Sequence, residues 1–240
     1  MRQIFLTILL LSLILVYSNE VYCNDKTWSW DTEVGYVQTT GNSKSASANV
    51  NSEYNKKWKK VILTLKGMHI SASQNDITNA ESYSLSEKVG VPLNLRFYLY
   101  ELFGWEKDRL AGIDYRYNIQ LGGGYKIIDT VKNQLSGEIG NDYTIEKYTS
   151  GDDESFSSLK GYLKYIYSFS EHAGFSQEGE ILYNLERSDD TRVNSITALS
   201  ASLTNNLALK ISYTIKYDES PPPGFKKTDT ILASSIILKL

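Results

Sequence analysis

The chain has 240 residues, of which 41% are hydrophobic and 12% aromatic, and its net charge at pH 7 is −3. The mean hydropathy of −0.32 and the lack of a long apolar stretch after the first twenty residues exclude a helical membrane protein. The small negative charge provides no basic surface, so nucleic acid is not an expected partner.

The first 18 residues have the pattern of an export signal. Arg2 gives a basic start, an almost unbroken apolar run follows from Ile4 to Val16, and Ser18 is a small residue suited to cleavage. An uncleaved anchor helix is the alternative, but the run is short for a membrane span. We predict a signal peptide over 1–18, with cleavage as late as position 23 as a variant, and a single barrel domain over 19–240.

Alternating apolar and polar residues predict long strands in the rest of the chain. From Leu207 to Tyr217 every odd position is large and apolar or aromatic, and every even position is small, polar or charged. Side chains of a strand point alternately to its two faces, and about 11 residues suffice to cross a bilayer at a tilt. The pattern predicts about twelve strands, at 28–38, 44–54, 60–70, 81–91, 95–106, 113–125, 133–145, 156–168, 173–185, 191–203, 207–217 and 229–240.

The predicted connections alternate in length along the chain. The even-numbered ones are tight, as at 55–57 and 170–172, whereas the odd-numbered ones are mostly longer and more polar, as at 73–79 and 148–155. The first connection, Gly41 to Ser43, is a short exception. Because short turns of outer-membrane barrels face the periplasm, we expect both termini of the barrel on that side.

The lumen of this barrel is expected to be polar. A soluble barrel alternates as well, with its apolar face inward, but nothing in that arrangement requires strands of this length or connections this asymmetric. Unpaired backbone groups are costly in hydrocarbon, so the last strand, 229–240, must pair with the first, 28–38. We predict an all-β fold: a closed antiparallel transmembrane β-barrel of about 12 strands in the cell outer membrane.

Charged residues of both signs occur on the predicted lumen face. This balance favours a narrow, cross-linked interior over a strongly ion-selective channel, because opposite charges in a confined space pair. We expect Arg116 beside Asp114 and opposite Glu138 of the neighbouring strand. The predicted lumen polar cluster consists of Asp114, Arg116, Glu138, Lys164, Glu180 and Lys210.

Three segments interrupt the regular pattern. The stretch from Phe97 to Phe103 is apolar on both faces, and Glu87 interrupts an otherwise apolar face. The run Gly122-Gly123-Gly124 lies inside a predicted strand, which excludes a phosphate-binding loop because no helix follows it. We interpret it as a bend or a layer of small residues facing the lumen.

Several segments resemble one known family. They are Glu33 to Ser43, Tyr115-Arg116-Tyr117, Gly122 to Lys126, Gly137 to Gly140, and Pro222 to Asp229. Together they are similar to the salt-induced outer-membrane proteins, a largely uncharacterised family. The resemblance covers nearly all of the mature chain and implies an outer-membrane barrel without established activity, with a name that suggests a response to salt. It supplies no catalytic residues.

One pair of residues offers an enzymatic alternative. His69 and Ser71 share the predicted lipid face near the outer rim, where a base and a nucleophile could act on an acyl substrate. This spacing of His and Ser resembles that in outer-membrane phospholipases and lipid A deacylases. The simpler interpretation is an ordinary polar residue at the membrane interface. We therefore expect no enzyme, no catalytic residue, no metal site and no cofactor.

The function predicted from these observations is a structural or stress-related role, salt or osmotic, with a narrow solute path. A diffusion pore or substrate-specific channel is the first alternative. A lipid hydrolase using Ser71 and His69 is the second. The expected partners are outer-membrane lipid, lipopolysaccharide and the barrel-assembly machinery, with small solutes as candidate cargo.

Overall fold

The computed structural model describes residues 27–39, 45–74, 77–109 and 111–240. The predicted signal peptide and the connection from Gly41 to Ser43 lie outside these described residues. Across the described ranges, no helix has the length and apolarity that a bilayer crossing requires.

Within the described residues, twelve antiparallel strands form one closed barrel in which each strand pairs with its neighbours in sequence and the last pairs with the first. This confirms the predicted fold class and the predicted closure. The strands are β1 (Trp28–Thr39), β2 (Ser45–Lys57), β3 (Ile62–Gln74), β4 (Ile77–Pro92), β5 (Phe97–Asp108), β6 (Ile113–Asp129), β7 (Asn133–Tyr148), β8 (Asp153–Ser168), β9 (Ala173–Asn184), β10 (Thr191–Ser202), β11 (Leu207–Asp218) and β12 (Thr228–Lys239).

The seam between β1 and β12 has the shortest pairing in the barrel. Four residue pairs are in register there, from Asp31 with Lys239 to Val34 with Ile236. Every other neighbouring pair of strands is in register over eleven residue pairs or more. The seam is therefore held by the fewest backbone hydrogen bonds.

The extracellular hairpins differ from the sequence prediction, because strands replace much of the predicted loops. The loop predicted over 73–79 is wrong: β3 continues to Gln74 and β4 begins at Ile77. The loop predicted over 148–155 shrinks to 149–152. Polar residues beyond the bilayer can pair through their backbones without an apolar face, so the alternating pattern ends before the strands do.

Two rims follow from these connections. The periplasmic rim consists of the five short turns 58–61, 93–96, 130–132, 169–172 and 203–206, together with the barrel's two termini. The extracellular rim consists of the opposite connections, the longest of which is the last loop, 219–227. Short turns identify the first rim as periplasmic, as in other outer-membrane barrels.

The alternating faces of the strands are oriented as predicted. Ile211 is 57% exposed and Leu232 is 75% exposed on the outer wall, where lipid would cover them. Lys210 and Lys216 of β11 point inward and form salt bridges with Glu33 and Asp108 respectively. The barrel therefore presents apolar side chains outward and encloses its charges, the arrangement that a bilayer requires.

The doubly apolar segment of β5 and the glycine run of β6 fit against each other. Tyr98 and Tyr100 face the lumen, and their register partners are Gly124 and Gly122. A Cβ atom on Gly124 would lie 2.2 Å from Cζ of Tyr98, and one on Gly122 would lie 2.8 Å from Cζ of Tyr100. The glycines thus form the small lumen-facing layer predicted from the sequence, and the two tyrosine rings occupy the space they leave.

Candidate functional site

The most concentrated chemistry of the molecule lies inside the barrel, toward the extracellular rim. Six charged side chains converge there from five strands because each occupies a lumen-facing position near the outer end of its strand. We call them the outer charge cluster: Glu106 and Asp108 of β5, Arg116 of β6, Glu146 of β7, Arg192 of β10 and Lys216 of β11.

Glu146 is the centre of this cluster. Arg192 donates two hydrogen bonds to its carboxylate, at 2.8 and 2.9 Å, and Nε of Arg116 donates a third at 2.6 Å. The hydroxyl of Tyr148 donates a further hydrogen bond to the same carboxylate. Arg116 also donates to Glu106 at 3.0 Å. Two guanidinium groups therefore share one carboxylate, and neighbouring acids balance the second positive charge.

Lys216 connects opposite sides of the barrel. Its Nζ atom lies 2.8 Å from Oδ2 of Asp108 and 3.4 Å from Oε1 of Glu106. In the ring of twelve strands, β11 and β5 are six positions apart, which is the largest separation the ring allows. Arg192 and Glu146 likewise join β10 to β7, three strands away. The salt bridges thus cross the lumen as well as follow its wall.

Burial shows that side chains fill the lumen at this level. Glu146 has no exposed surface and Arg192 is 8% exposed, and Asp108 and Asp142 are also buried. Ionised groups are rarely buried unless they are paired and hydrogen-bonded, which these are. A water-filled channel of porin width would leave the same groups solvated.

A small cavity and the last loop complete the site. A cavity of about 200 Å³ lies among the outer charge cluster, enough for a few water molecules at about 30 Å³ each. The loop 219–227 lies over it, and Pro221 contributes to its lining. The ring of Phe225 packs so closely on Gly112, in the β5–β6 turn, that a Cβ there would lie 2.6 Å from it. The last loop therefore reaches a turn on the opposite side of the barrel mouth.

A second set of charges crosses the lumen closer to the periplasmic rim. Lys88 of β4 forms a salt bridge with Glu138 of β7 at 2.5 Å, and the ring of Tyr100 lies under the same ammonium group, 4.4 Å from its Nζ atom. The hydroxyl of Tyr98 donates to Glu138 at 2.6 Å. The two contacts to Glu138 again join strands that are not neighbours, β4 with β7 and β5 with β7. The two lumen-facing tyrosines and this ion pair therefore contact each other at the same level of the lumen.

The structure places five of the six predicted cluster residues in the lumen but pairs them differently. Arg116 is in register with Glu146, whereas Glu138 is in register with Gly124, so the predicted pairing of Arg116 with Glu138 is wrong. Asp114 is half exposed and lies 3.7 Å from Lys107, outside the outer charge cluster. The remaining predicted residues bind acids or lysines of their own: Lys164 pairs with Glu178, Glu180 with Lys160, and Lys210 with Glu33.

Asp114 leaves the predicted face because of a bulge. The register between β6 and β7 shifts between Ile113 and Tyr115, so one residue is added on β6 at this point. Glu146 was not predicted as a cluster member because the seventh predicted strand ends at position 145. Continuing the alternation from Asp142 and Thr144 by one step would have placed Glu146 on the lumen face.

His69 and Ser71 lie on the outer wall of β3, on the face that carries Leu65. The imidazole stacks on Tyr83 of β4 with ring centroids 4.4 Å apart. Its Nδ1 atom is buried and has no hydrogen-bond partner among the described residues. Glu81 is in register with Ser71, but its carboxylate accepts a hydrogen bond from Tyr83 at 2.6 Å. The alternation therefore located both residues correctly, and the acid in register with Ser71 accepts its hydrogen bond from Tyr83.

Comparison with known proteins finds one matching family and a relative in Escherichia coli. A family model described as "Protein of unknown function, DUF481" matches residues 32–239. The uncharacterized protein YdiY of Escherichia coli (strain K12) is 26% identical over 199 residues, which cover 82% of this chain and 77% of that protein.

Two solved structures are similar in fold. The COG4313 outer membrane channel from Pseudomonas putida F1 has a TM-score of 0.55 at 12% identity, covering 92% of this chain and 100% of that one. The NanC porin has a TM-score of 0.51 at 10% identity, covering 88% of this chain and 97% of that one. These likenesses place the chain among outer-membrane β-barrels. None of these names mentions salt, so the response to salt stays a prediction.

Proposed function

The chain belongs to the DUF481 family of proteins of unknown function, and we propose that it is a non-enzymatic outer-membrane barrel whose lumen is closed at rest by its own ion pairs. The observation that carries this proposal is the salt bridge from Lys216 to Asp108 between opposite strands. A closed barrel of this kind has a structural or stress-related role, with at most a narrow solute path through the outer charge cluster.

Burial of the network supports a role under salt or osmotic stress. Salt shortens the Debye length from about 8 Å at physiological ionic strength to about 3 Å at 1 M, but buried pairs are screened far less than exposed ones. The pair between Arg192 and Glu146 is buried on both sides. The free energy of unfolding of a barrel with such buried pairs therefore changes little when the external salt concentration rises. Comparing growth of a deletion strain and its parent at low and high salt tests this role.

Conductance in planar bilayers tests the closed lumen directly. We expect the wild-type barrel to give little or no steady current. We expect Lys216→Gln to raise the current because it removes the salt bridge between opposite strands. We expect the same of Phe225→Ala because it removes the contact over the barrel mouth. Lys164→Gln is the matched control, because it removes one lumen charge whose partner, Glu178, lies on the neighbouring strand. A large steady current from the wild type would contradict the closed lumen.

A substrate-specific channel is the second candidate function. The cavity of about 200 Å³ is lined by both carboxylates and cations, including Asp142, Glu180 and Arg192, and so offers polar groups to a small solute. The two solved relatives named as a channel and a porin have compatible folds. A wild-type current that a solute blocks in a concentration-dependent way would favour this candidate over a closed barrel.

The non-enzymatic part of the proposal is supported by the surroundings of His69. A triad requires a third group, an acid or an amide, to orient the base, whereas within the described residues Nδ1 of His69 has no hydrogen-bond partner and Glu81 binds Tyr83. The partners proposed for the barrel are the lipids and lipopolysaccharide that surround its wall and the assembly machinery that inserts it. Copurification of the assembly machinery with a stalled barrel tests the last of these.

A further inference from the structure

The turn between β2 and β3 concentrates positive charge at the periplasmic rim. Its sequence is Lys56-Lys57-Trp58-Lys59-Lys60, and we call this segment the basic turn. The Trp58 amide donates a hydrogen bond to the carbonyl of Val61 at 2.8 Å, which closes the turn. Four lysines and a tryptophan are therefore held within five consecutive residues of a tight hairpin.

Three of these lysines have no acidic partner among the residues that the structure describes. Lys57, Lys59 and Lys60 are exposed, and no carboxylate within the described residues forms a salt bridge with them. Lys56 is different, because it donates to Oγ1 of Thr27 at 3.0 Å and lies 5.9 Å from the centre of the Trp58 ring. The lumen charges, by contrast, are almost all paired. Three unpaired ammonium groups on one turn are therefore available to an external anion.

Tryptophan side chains place this turn at the level of the lipid headgroups. Trp28 and Trp30 are exposed on the outer wall of β1, and the register pairs Trp28 with Lys56. With Trp58, three of the chain's four tryptophans lie at the periplasmic end of β1 to β3. Tryptophan is enriched at membrane–water interfaces, where its ring lies among the headgroups. The basic turn is thus adjacent to the phosphate layer of the periplasmic leaflet.

The two rims also differ in charge, and the excess of basic residues lies on the periplasmic side. The five periplasmic turns contain four basic residues and one acidic residue: Lys59, Lys60, Arg96, Lys132 and Glu171. The described connections of the extracellular rim contain four basic residues, Arg109, Arg187, Lys226 and Lys227, and five acidic residues, Asp152, Glu186, Asp189, Asp190 and Glu219. The excess of positive charge is therefore confined to the periplasmic side, and the basic turn provides half of its cations.

We propose that the basic turn is a binding site for anionic phospholipid headgroups in the periplasmic leaflet. A lysine ammonium group binds phosphate oxygens as a compact point charge. An anionic phosphodiester of the phosphatidylglycerol type fits better than a zwitterionic headgroup, whose own ammonium group would repel the turn. The outward tryptophans favour a lipid over an acidic protein, because they hold the turn against the bilayer. This inference rests on the orientation of the barrel and is independent of whether its lumen conducts.

The test measures lipid selectivity of the folded, full-length barrel in vesicles of zwitterionic lipid. Trace spin-labelled phosphatidylglycerol or phosphatidylcholine reports how strongly each lipid associates with the wall. Each lysine near an anionic surface contributes up to about fivefold in association. We expect the wild type to prefer phosphatidylglycerol, and the triple variant Lys57→Gln/Lys59→Gln/Lys60→Gln to lose at least about fivefold of that preference.

Two controls keep the result specific. The triple lysine-to-arginine variant at the same positions retains the charge and is expected to retain the preference. Lys226→Gln/Lys227→Gln removes exposed charge from the extracellular rim and is expected to leave it unchanged. Heat-modifiable migration on gels confirms that each variant is folded. Equal preference in the wild type and the triple glutamine variant would overturn the proposal, as would a wild type without any preference, which would favour an acidic periplasmic protein instead.

Discussion

Glu146→Gln tests whether the outer charge cluster stabilises the barrel. The substitution keeps the shape of the side chain but removes the charge that accepts three hydrogen bonds from Arg116 and Arg192. A hydrogen bond to a charged group contributes about 1.5–3 kcal/mol and a neutral one about 0.5–1.5, so each bond to the remaining amide oxygen loses about 1 kcal/mol. A bond to the oxygen that the amide NH2 group replaces is lost, because that group only donates. Removing one partner of a buried ion pair costs about 3–5 kcal/mol by comparison.

We therefore expect Glu146→Gln to lower the free energy of unfolding by about 3 kcal/mol. The loss lies at the low end of the range of about 3–5 kcal/mol for a broken buried ion pair. The reason is that Asp190, Asp218 and Glu106 still contact the two guanidinium groups. Denaturant titration of the folded barrel in detergent micelles measures the change. Glu171→Gln, in an exposed periplasmic turn, is the control and should stay within about 0.5 kcal/mol of the wild type.

A double-mutant cycle separates the pair from other effects of the substitution. Arg192→Gln removes the bidentate partner, so the double variant no longer leaves that guanidinium without its main carboxylate. We expect the double variant to be less destabilised than the sum of the two single variants, by about 2 kcal/mol. Additive losses, or a Glu146→Gln barrel as stable as the wild type, would contradict the prediction, because the buried charges would then not depend on each other.

Three further predictions concern the wall. Gly124→Val should destabilise the barrel by about 1–3 kcal/mol, measured as a lower temperature of heat-modifiable migration, because its Cβ would overlap the ring of Tyr98. Ile211→Lys should cost about 2–4 kcal/mol in vesicles, measured by denaturant titration, since the residue faces lipid near mid-strand. Ser71→Ala should leave any acyl release from phospholipid unchanged, and a loss of release would establish the hydrolase instead.

Much of the fold could be predicted from the sequence because one face of each strand must be apolar in lipid. In β11, the alternation from Leu207 to Tyr217 matches the observed strand, which ends one residue later at Asp218. The limits of the longest strands could not be predicted in this way. Beyond the bilayer the outward face also meets water, so the residues from 146 to 148 extend β7 without an apolar signal on that face.

Which charged residues pair inside the lumen depends on strand register and strand number, and no local sequence pattern shows either of them. Arg116 meets Glu146 because of the register between β6 and β7. Lys216 and Asp108 are 108 residues apart in sequence and meet because the ring closes after twelve strands. The number of strands and their stagger together determine which lumen residues face each other. The sequence therefore predicted that charges of both signs would pair, but not which ones.

The charges enclosed in the lumen determine the register of the strands more than they determine the stability of the barrel. A shift of one residue in a strand moves every side chain to the opposite face. For β11 such a slip would turn Lys210 into lipid and Ile211 into the lumen. A lysine on the lipid face costs about 2–4 kcal/mol near the bilayer midplane, so a slipped barrel is disfavoured even where the native salt bridge adds little net stability. Ion pairs on nearly every strand thus specify which face is inside, and an apolar lumen of equal packing would not.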